Sequence, residues 1–226
     1  MIHYHGTPLT PRRELQKMAG KHFCVSFAHP ADADWCLAHG QSVMWDNGAF
    51  SVFTKGGTLD PVAFARWVEP RLGHPHWAVI PDVIDGTVED QRTAAFSWPH
   101  PAELSAPVWH MGLPIDWLLE LCDNFPKVCF GSSGAYWQVG SESWERRCDE
   151  AFNALAKRGL RPWIHMLRGL ALAGDRWPFA SADSVNVARN FKDGGGVCPE
   201  RMARRIDSVQ CPVTWHLRPE QAGFDI

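Results

Sequence analysis

The 226-residue sequence predicts an α/β fold, one small (β/α)8 barrel, and three observations carry that expectation. Eight short apolar segments are each followed by a helix-compatible segment, and this alternation requires parallel pairing, because every crossover returns the chain to the same end of the sheet. No GxGxxG follows the first apolar segment, which removes the main support for an open doubly wound sheet. The chain contains no internal repeat and no low-complexity linker, so residues 1–226 read as a single domain of ordinary size. At this length some helices must be short or irregular.

The elements follow in order. Residues 2–5 (IHYH) are extended and close at Gly6-Thr7-Pro8, and a helix over 11–18 is expected with Thr10 as its cap. A second strand, 22–28, leads to a short helix over 31–39 that ends at Gly40. The third strand, 42–45, delivers Asp46 to an Asn47-Gly48 turn followed by Phe50. Gly48 leaves room for a flat ligand to approach the backbone, and Phe50 is placed to cover an aromatic face. Asp60 and Pro61 open the next helix as N-cap and first helical residue. Strands over 77–83 and 106–111 precede helices over 87–97 and 114–121. Strand 127–130 runs into Gly131-Ser132-Ser133-Gly134, and a long amphipathic helix over 141–158 stops at Gly159. Strand 161–167 has only a weak helical pattern after Gly169, strand 182–187 is the eighth, and a helix over 199–209 is the last. Gly194-Gly195-Gly196 reads as a mobile loop.

Composition narrows the function classes. Hydrophobic residues at 45% and charged residues at 21% fit a globular protein and exclude disordered or fibrous classes. A net charge of −3 gives no general attraction to a polyanion, so nucleic-acid contacts must come from local patches. Arg189, Lys192, Arg201, Arg204 and Arg205 form one candidate patch, and Arg12, Arg13, Lys17 and Lys21 another, although solvated helix faces account for such groups as well. Seven Cys without a CxxC pair point to reduced thiols rather than a disulfide framework. With no apolar h-region after a basic start and no apolar run near ~20 residues, the expectation is a cytoplasmic protein without membrane contact.

Functional residues of such a barrel collect where the strands end at its C-terminal mouth. The sequence places His5, Asp46, Asp82, His110, Gly131-Ser132-Ser133, His165-Met166 and Asp183 there. Three carboxylates on three strand ends exceed what turns require. Beside Phe50, Trp109 and Met166 they suit a planar, hydrogen-bonding ligand such as a purine. One carboxylate can accept the paired N–H groups of a guanine edge, one can attack an anomeric carbon, and one can handle the leaving base's proton.

The motifs also resemble those of a known family. VMWDNGAFSVF is similar to the DSGGF-type segment of the tRNA-guanine transglycosylases, and GSSGA to their VGGLA-type loop. RPWIHMLRG is similar to their RPxYLMGVG segment, and ADSVNVARN to FDCVxPTRxARN; the order matches across about residues 42–190. YHGTPLTP, HFCVSFA and CPERMARRIDSVQ resemble the short phage- and genomic-island-type members that place 7-deazaguanine bases in DNA. The resemblance implies base exchange without a cofactor, with free guanine or a 7-deazaguanine as the incoming base. Asp183 would be the nucleophile at C1′, Asp46 the acid/base, and Asp82 the reader of the guanine edge. Phe50 and Met166 would sandwich the base, His110 stands where the family has a Gln, and Gly131, Ser132 and Ser133 would supply loop N–H contacts. The family's Gly-Gly pair is Ser132-Ser133 here. Only Cys198, Cys211 and His216 remain where the tRNA enzymes carry four zinc ligands, at the wrong spacing, so neither zinc nor the zinc subdomain is expected and DNA is favoured over tRNA. A wedge to hold a flipped base would be Trp137 or, less suited because it lies within a strand, Trp45.

Two other classes compete. His3-x-His5, His110, His165 and Asp183 resemble the ligand order of metal-dependent amidohydrolases, a reading that leaves Asp46 and Asp82 unexplained. A barrel that binds a base or nucleic acid without turnover, as a subunit beside a protein partner, is the third.

Overall fold

The computed structural model describes residues 1–54, 56–170, 174–192 and 197–218. Among the described residues nine strands form one all-parallel sheet: β1 (Ile2–Gly6), β2 (His22–Ser26), β3 (Ser42–Asp46), β4 (Trp77–Val79), β5 (Ser105–Ala106), β6 (Val108–His110), β7 (Lys127–Gly131), β8 (Trp163–Met166) and β9 (Ser181–Ser184). Their spatial order is β5-β4-β3-β2-β1-β9-β8-β7-β6, so β5 and β6 stand at opposite ends of the sheet although only Pro107 separates them in sequence. Ala106 O accepts the Ile80 N–H at 2.9 Å, and Pro107 O accepts the Cys129 N–H at 2.9 Å. Proline has no N–H to give a ladder, and the strand breaks there. The broken strand pairs β4 on one side and β7 on the other, which nearly closes the sheet into a barrel. Counted as one, it makes the eight strands expected from sequence.

Period-two alternation sorts the side chains. Tyr4, Cys24, Met44, Trp77, Val79, Ala106, Val108 and Cys129 point inward and pack on one another. Tyr4 Oη anchors this interior by accepting from Trp77 Nε1 at 2.9 Å and Ser42 Oγ at 3.2 Å. The opposite strand faces bury Phe23, Val43 and Trp45 in one cluster, and Trp109, Phe130, Ile164 and Met166 in another. Trp45, Trp109, Trp117, Trp144 and Trp177 are fully buried, so the high tryptophan count serves the helix–sheet interface, where large flat side chains fill gaps.

The helices are α1 (Arg12–Gln16), α2 (Ala33–His39), α3 (Ala49–Phe53), α4 (Pro61–Val68), α5 (Val88–Phe96), α6 (Ile115–Asn124), α7 (Glu142–Lys157), α8 (Asn186–Asn190) and α9 (Pro199–Asp207). Asp60 caps α4 by accepting the Val62 and Ala63 N–H groups, as its position before Pro61 predicts. Thr87 and Asp90 form a reciprocal capping box at α5, and Ser141 caps α7 through the Trp144 N–H.

Several expectations change. Thr10 caps nothing; α1 starts at Arg12 after an extended Pro11. Strand 77–83 stops at Val79, leaving Pro81 and Asp82 on a loop. The eighth strand ends at Ser184 and gives way to α8 from Asn186. Phe50 lies on the short helix α3 rather than in an open loop, because Gly48 turns the chain at φ 78° and helix begins at once. Gly194-Gly195-Gly196 lies outside the described residues, as does part of the segment after Gly169. Among the described residues, no helix is long and apolar enough to cross a membrane.

Candidate active site at the barrel mouth

A cavity of about 1070 Å³ opens at the C-terminal ends of the strands, at the upper end of the ~300–1,000 Å³ typical of small-molecule sites. Asp46, Asp82 and Asp183 all line it, from the end of β3, the loop after β4, and β9, together with Phe50, His110, Gly131, Ser132 and Ser133. Their convergence has an electrostatic signature beneath the cavity floor. Burial pushes the Cys129 thiol far above its usual range, and the charges of Asp183, Asp82 and Asp46 push it further. Cys24 is raised in the same way by burial, Asp183 and Asp46.

Each carboxylate has a different environment. Asp46 is raised to about 6, chiefly by burial; the neighbouring charges of Asp183 and Asp82 add to this, while hydrogen bonds from Ser26 and the Gly48 backbone oppose it. A carboxyl raised to that range can exchange a proton near neutral pH. Gly48 makes the placement possible: a Cβ on it would lie 3.0 Å from both Ala28 N and Ser26 Oγ. Asp183 Oδ1 accepts the Arg168 N–H at 2.7 Å and lies 3.3 Å from Nε2 of the fully buried His165, whose Nδ1 is 2.8 Å from Ser181 Oγ. Asp82 Oδ2 meets His110 Nε2 at 2.9 Å, and its Oδ1 accepts from Asn47 Nδ2 at 3.3 Å. Asn47 also donates to Ile80 O and accepts the Ala49 N–H, tying the β3 turn to the Asp82 loop.

The structure thus gathers Asp46, Asp82, Asp183, Phe50, His110 and the Gly131-Ser132-Ser133 loop. Asp82 and His110, expected to read separate parts of a base, are bonded to each other, and a ligand must share or replace that bond. Ser132 Oγ accepts from Trp144 Nε1 at 3.0 Å and Ser133 Oγ accepts the Gly112 N–H at 3.3 Å, so both hydroxyls support the loop. Met166, expected to sandwich the base with Phe50, does not reach the cavity. It is fully buried against the helix layer, because His165 and Leu167 take the inward phase of β8; Leu167 lines the cavity instead.

Of the basic residues, Arg189 lines the cavity, whereas Lys192, Arg201, Arg204 and Arg205 are not among its walls. Arg204 pairs with Glu200 on α9. Trp45 is fully buried and can wedge nothing, while Trp137 is 71% exposed. His3 and His5 also depart from the mouth: on the outer face of β1, His5 Nε2 lies 2.9 Å from Asp207 Oδ1 of α9, and Lys21 pairs with the other oxygen. That orientation separates His3 and His5 from His110 and Asp183, which line the mouth. Among the described residues no group of three or more His, Cys, Asp or Glu is arranged for a metal ion. Sequence reasoning missed Arg168, His165 as a partner of Asp183, and Asn47 as the brace of Asp82; the carboxylate-rich strand ends were the signal that pointed near them.

No protein-family model and no curated protein matches this chain. The family resemblance therefore rests on the motifs and their order.

Proposed function

We propose that this protein is a guanine transglycosylase that exchanges guanine in nucleic acid, with DNA favoured over tRNA, for a free 7-deazaguanine derivative. The observation that carries the reading is the convergence of three carboxylates in unlike environments over one cavity, with an aromatic wall at Phe50. Asp183, oriented by the Arg168 N–H and His165, attacks C1′ of the nucleotide. The C1′–N9 bond breaks as the Asp183–C1′ bond forms, and the guanine leaves with the bonding electrons. Asp46, with its carboxyl near 6, gives the departing base its proton. The same group then takes the N9 proton of the incoming base, which attacks C1′ and releases Asp183.

Asp82, shared with His110, accepts the N–H groups of the guanine edge, and the base lies against Phe50 with Leu167 on the cavity wall. The backbone of Gly131-Ser132-Ser133 faces the base carbonyl. DNA is the favoured polymer because, against the tRNA enzymes that the motifs resemble, Cys198, Cys211 and His216 are at the wrong spacing for their four zinc ligands. Reaching a base in a duplex requires flipping it out, at a cost of a few kcal/mol, and exposed Trp137 is the available wedge.

The test is incorporation of labelled guanine, and of deazaguanine bases, into duplex DNA, single-stranded DNA and tRNA. Label entering DNA supports the proposal. Binding of base and DNA without incorporation would leave a non-catalytic subunit acting beside a protein partner as the better reading.

A further inference from the structure

Phe50 offers its ring to the cavity, but one face is already covered. The Arg168 guanidinium carbon lies 4.3 Å from the Phe50 ring centroid, where a stacked base would lie. Among the described residues Arg168 is one of two non-glycine residues with positive φ, at 57°, a conformation that is uncommon for a bulky side chain. Its N–H donates to Asp183 at 2.7 Å, so one residue touches the proposed nucleophile with its backbone and the stacking aromatic with its side chain. Among the described residues the guanidinium forms no ion pair with a carboxylate, and neither does that of Arg189, which lines the same cavity. Two arginines on the mouth beside three carboxylates offset part of the negative charge there and offer guanidinium donors to a ligand that brings its own negative charge next to a flat ring.

We propose that Arg168 is a specificity residue that selects phosphate-bearing nucleotides over free bases: its guanidinium lies over the Phe50 ring and swings off to pair with a backbone phosphate when a nucleotide stacks there. This rests on reading the mouth as a nucleobase site. A free base must displace the guanidinium without offering it a partner. A nucleotide displaces it and gives it a charge-assisted, bidentate contact in exchange.

The experiment measures two affinities side by side for wild type, Arg168→Asn and Arg168→Lys: labelled guanine by equilibrium dialysis, and a guanine-containing single-stranded oligonucleotide by fluorescence anisotropy across a salt series. Asn is chosen because it tolerates positive φ, and thermal unfolding of each variant establishes that it folds. Arg168→Asn should bind guanine about two- to fivefold more tightly. It should bind the oligonucleotide about tenfold more weakly, with the salt slope reduced by about 0.7. Arg168→Lys, which keeps the charge, should recover most of the oligonucleotide affinity. Parallel weakening for both ligands would show that Arg168 only maintains the site and would overturn the inference. Unchanged affinities, or tighter guanine binding without loss of oligonucleotide, would overturn it too. Wild type that binds neither ligand would instead remove the nucleobase reading on which the inference stands.

Discussion

Replacing Asp46 by Asn should stabilise the protein at alkaline pH while disabling it, and the size of the effect can be worked from the site. Burial and the charges of Asp183 and Asp82 raise this carboxyl from the ordinary 3.8 to about 6. Above pH 6 the group is ionised in both states, and folding moves a charge out of water into a negative site. The corresponding cost is ~3 kcal/mol. As pH falls from 6 to 3.8 the folded protein takes up a proton that the unfolded chain does not, so the cost is progressively removed. Asn carries no charge and never bears it. The expected stabilisation by Asp46→Asn is thus about 3 kcal/mol at pH 8, shrinking toward zero by pH 4. His3 works in the opposite direction, since burial holds its imidazole down to about 4 and folding loses stability as pH falls from 6.5. That contribution is common to both proteins, so it cancels in the difference. Urea unfolding of the pair at several pH values reads the quantity directly. Exchange by the variant should fall by about 10²–10⁴, the usual contribution of a positioned acid/base group. A stability difference that is the same at pH 4 and pH 8 would refute the assignment of a raised carboxyl at Asp46.

Three further perturbations probe other parts of the account. Tyr4→Phe removes the acceptor of two buried donors, Trp77 Nε1 and Ser42 Oγ, and should cost ~1–3 kcal/mol in urea unfolding. Gly48→Ala adds a Cβ 3.0 Å from Ala28 N at a φ of 78°; a loss of about 1–3 kcal/mol should accompany reduced exchange, because the turn carrying Asp46 must shift. Asp82→Asn keeps the contact to Asn47 but loses the paired acceptor for a guanine edge, so guanine should bind about tenfold or more weakly in dialysis with little change in melting temperature.

The barrel was legible because alternation of apolar strands and helices admits few parallel arrangements, and because Asp60-Pro61 and Ser141 mark helix starts through local chemistry. The three carboxylates were legible for a related reason: residues just beyond apolar runs in such a fold converge on one mouth. Face was the harder property. Met166 and Leu167 differ by one position, and in a strand one position exchanges core for cavity, so the motif that singled out Met166 chose the residue packed against the helices. His3 and His5 share a face, as their spacing requires, but the sequence does not say that this face meets Asp207 on α9. Contacts between distant loops were also invisible. Asp82 with His110, His165 with Asp183 and Arg168 over Phe50 join residues 18 to 118 positions apart, and they arise only once the strands are laid side by side and the sheet curls toward closure.

The most direct test of the central claim is a covalent trap. Wild type and Asp183→Asn are incubated with a guanine-containing DNA oligonucleotide, quenched in denaturant, and analysed by intact mass and peptide mapping. The account predicts an oligonucleotide adduct that survives denaturation, maps to Asp183 and is absent from the variant. An adduct on any other residue, or exchange that persists at the wild-type rate in Asp183→Asn, would contradict it.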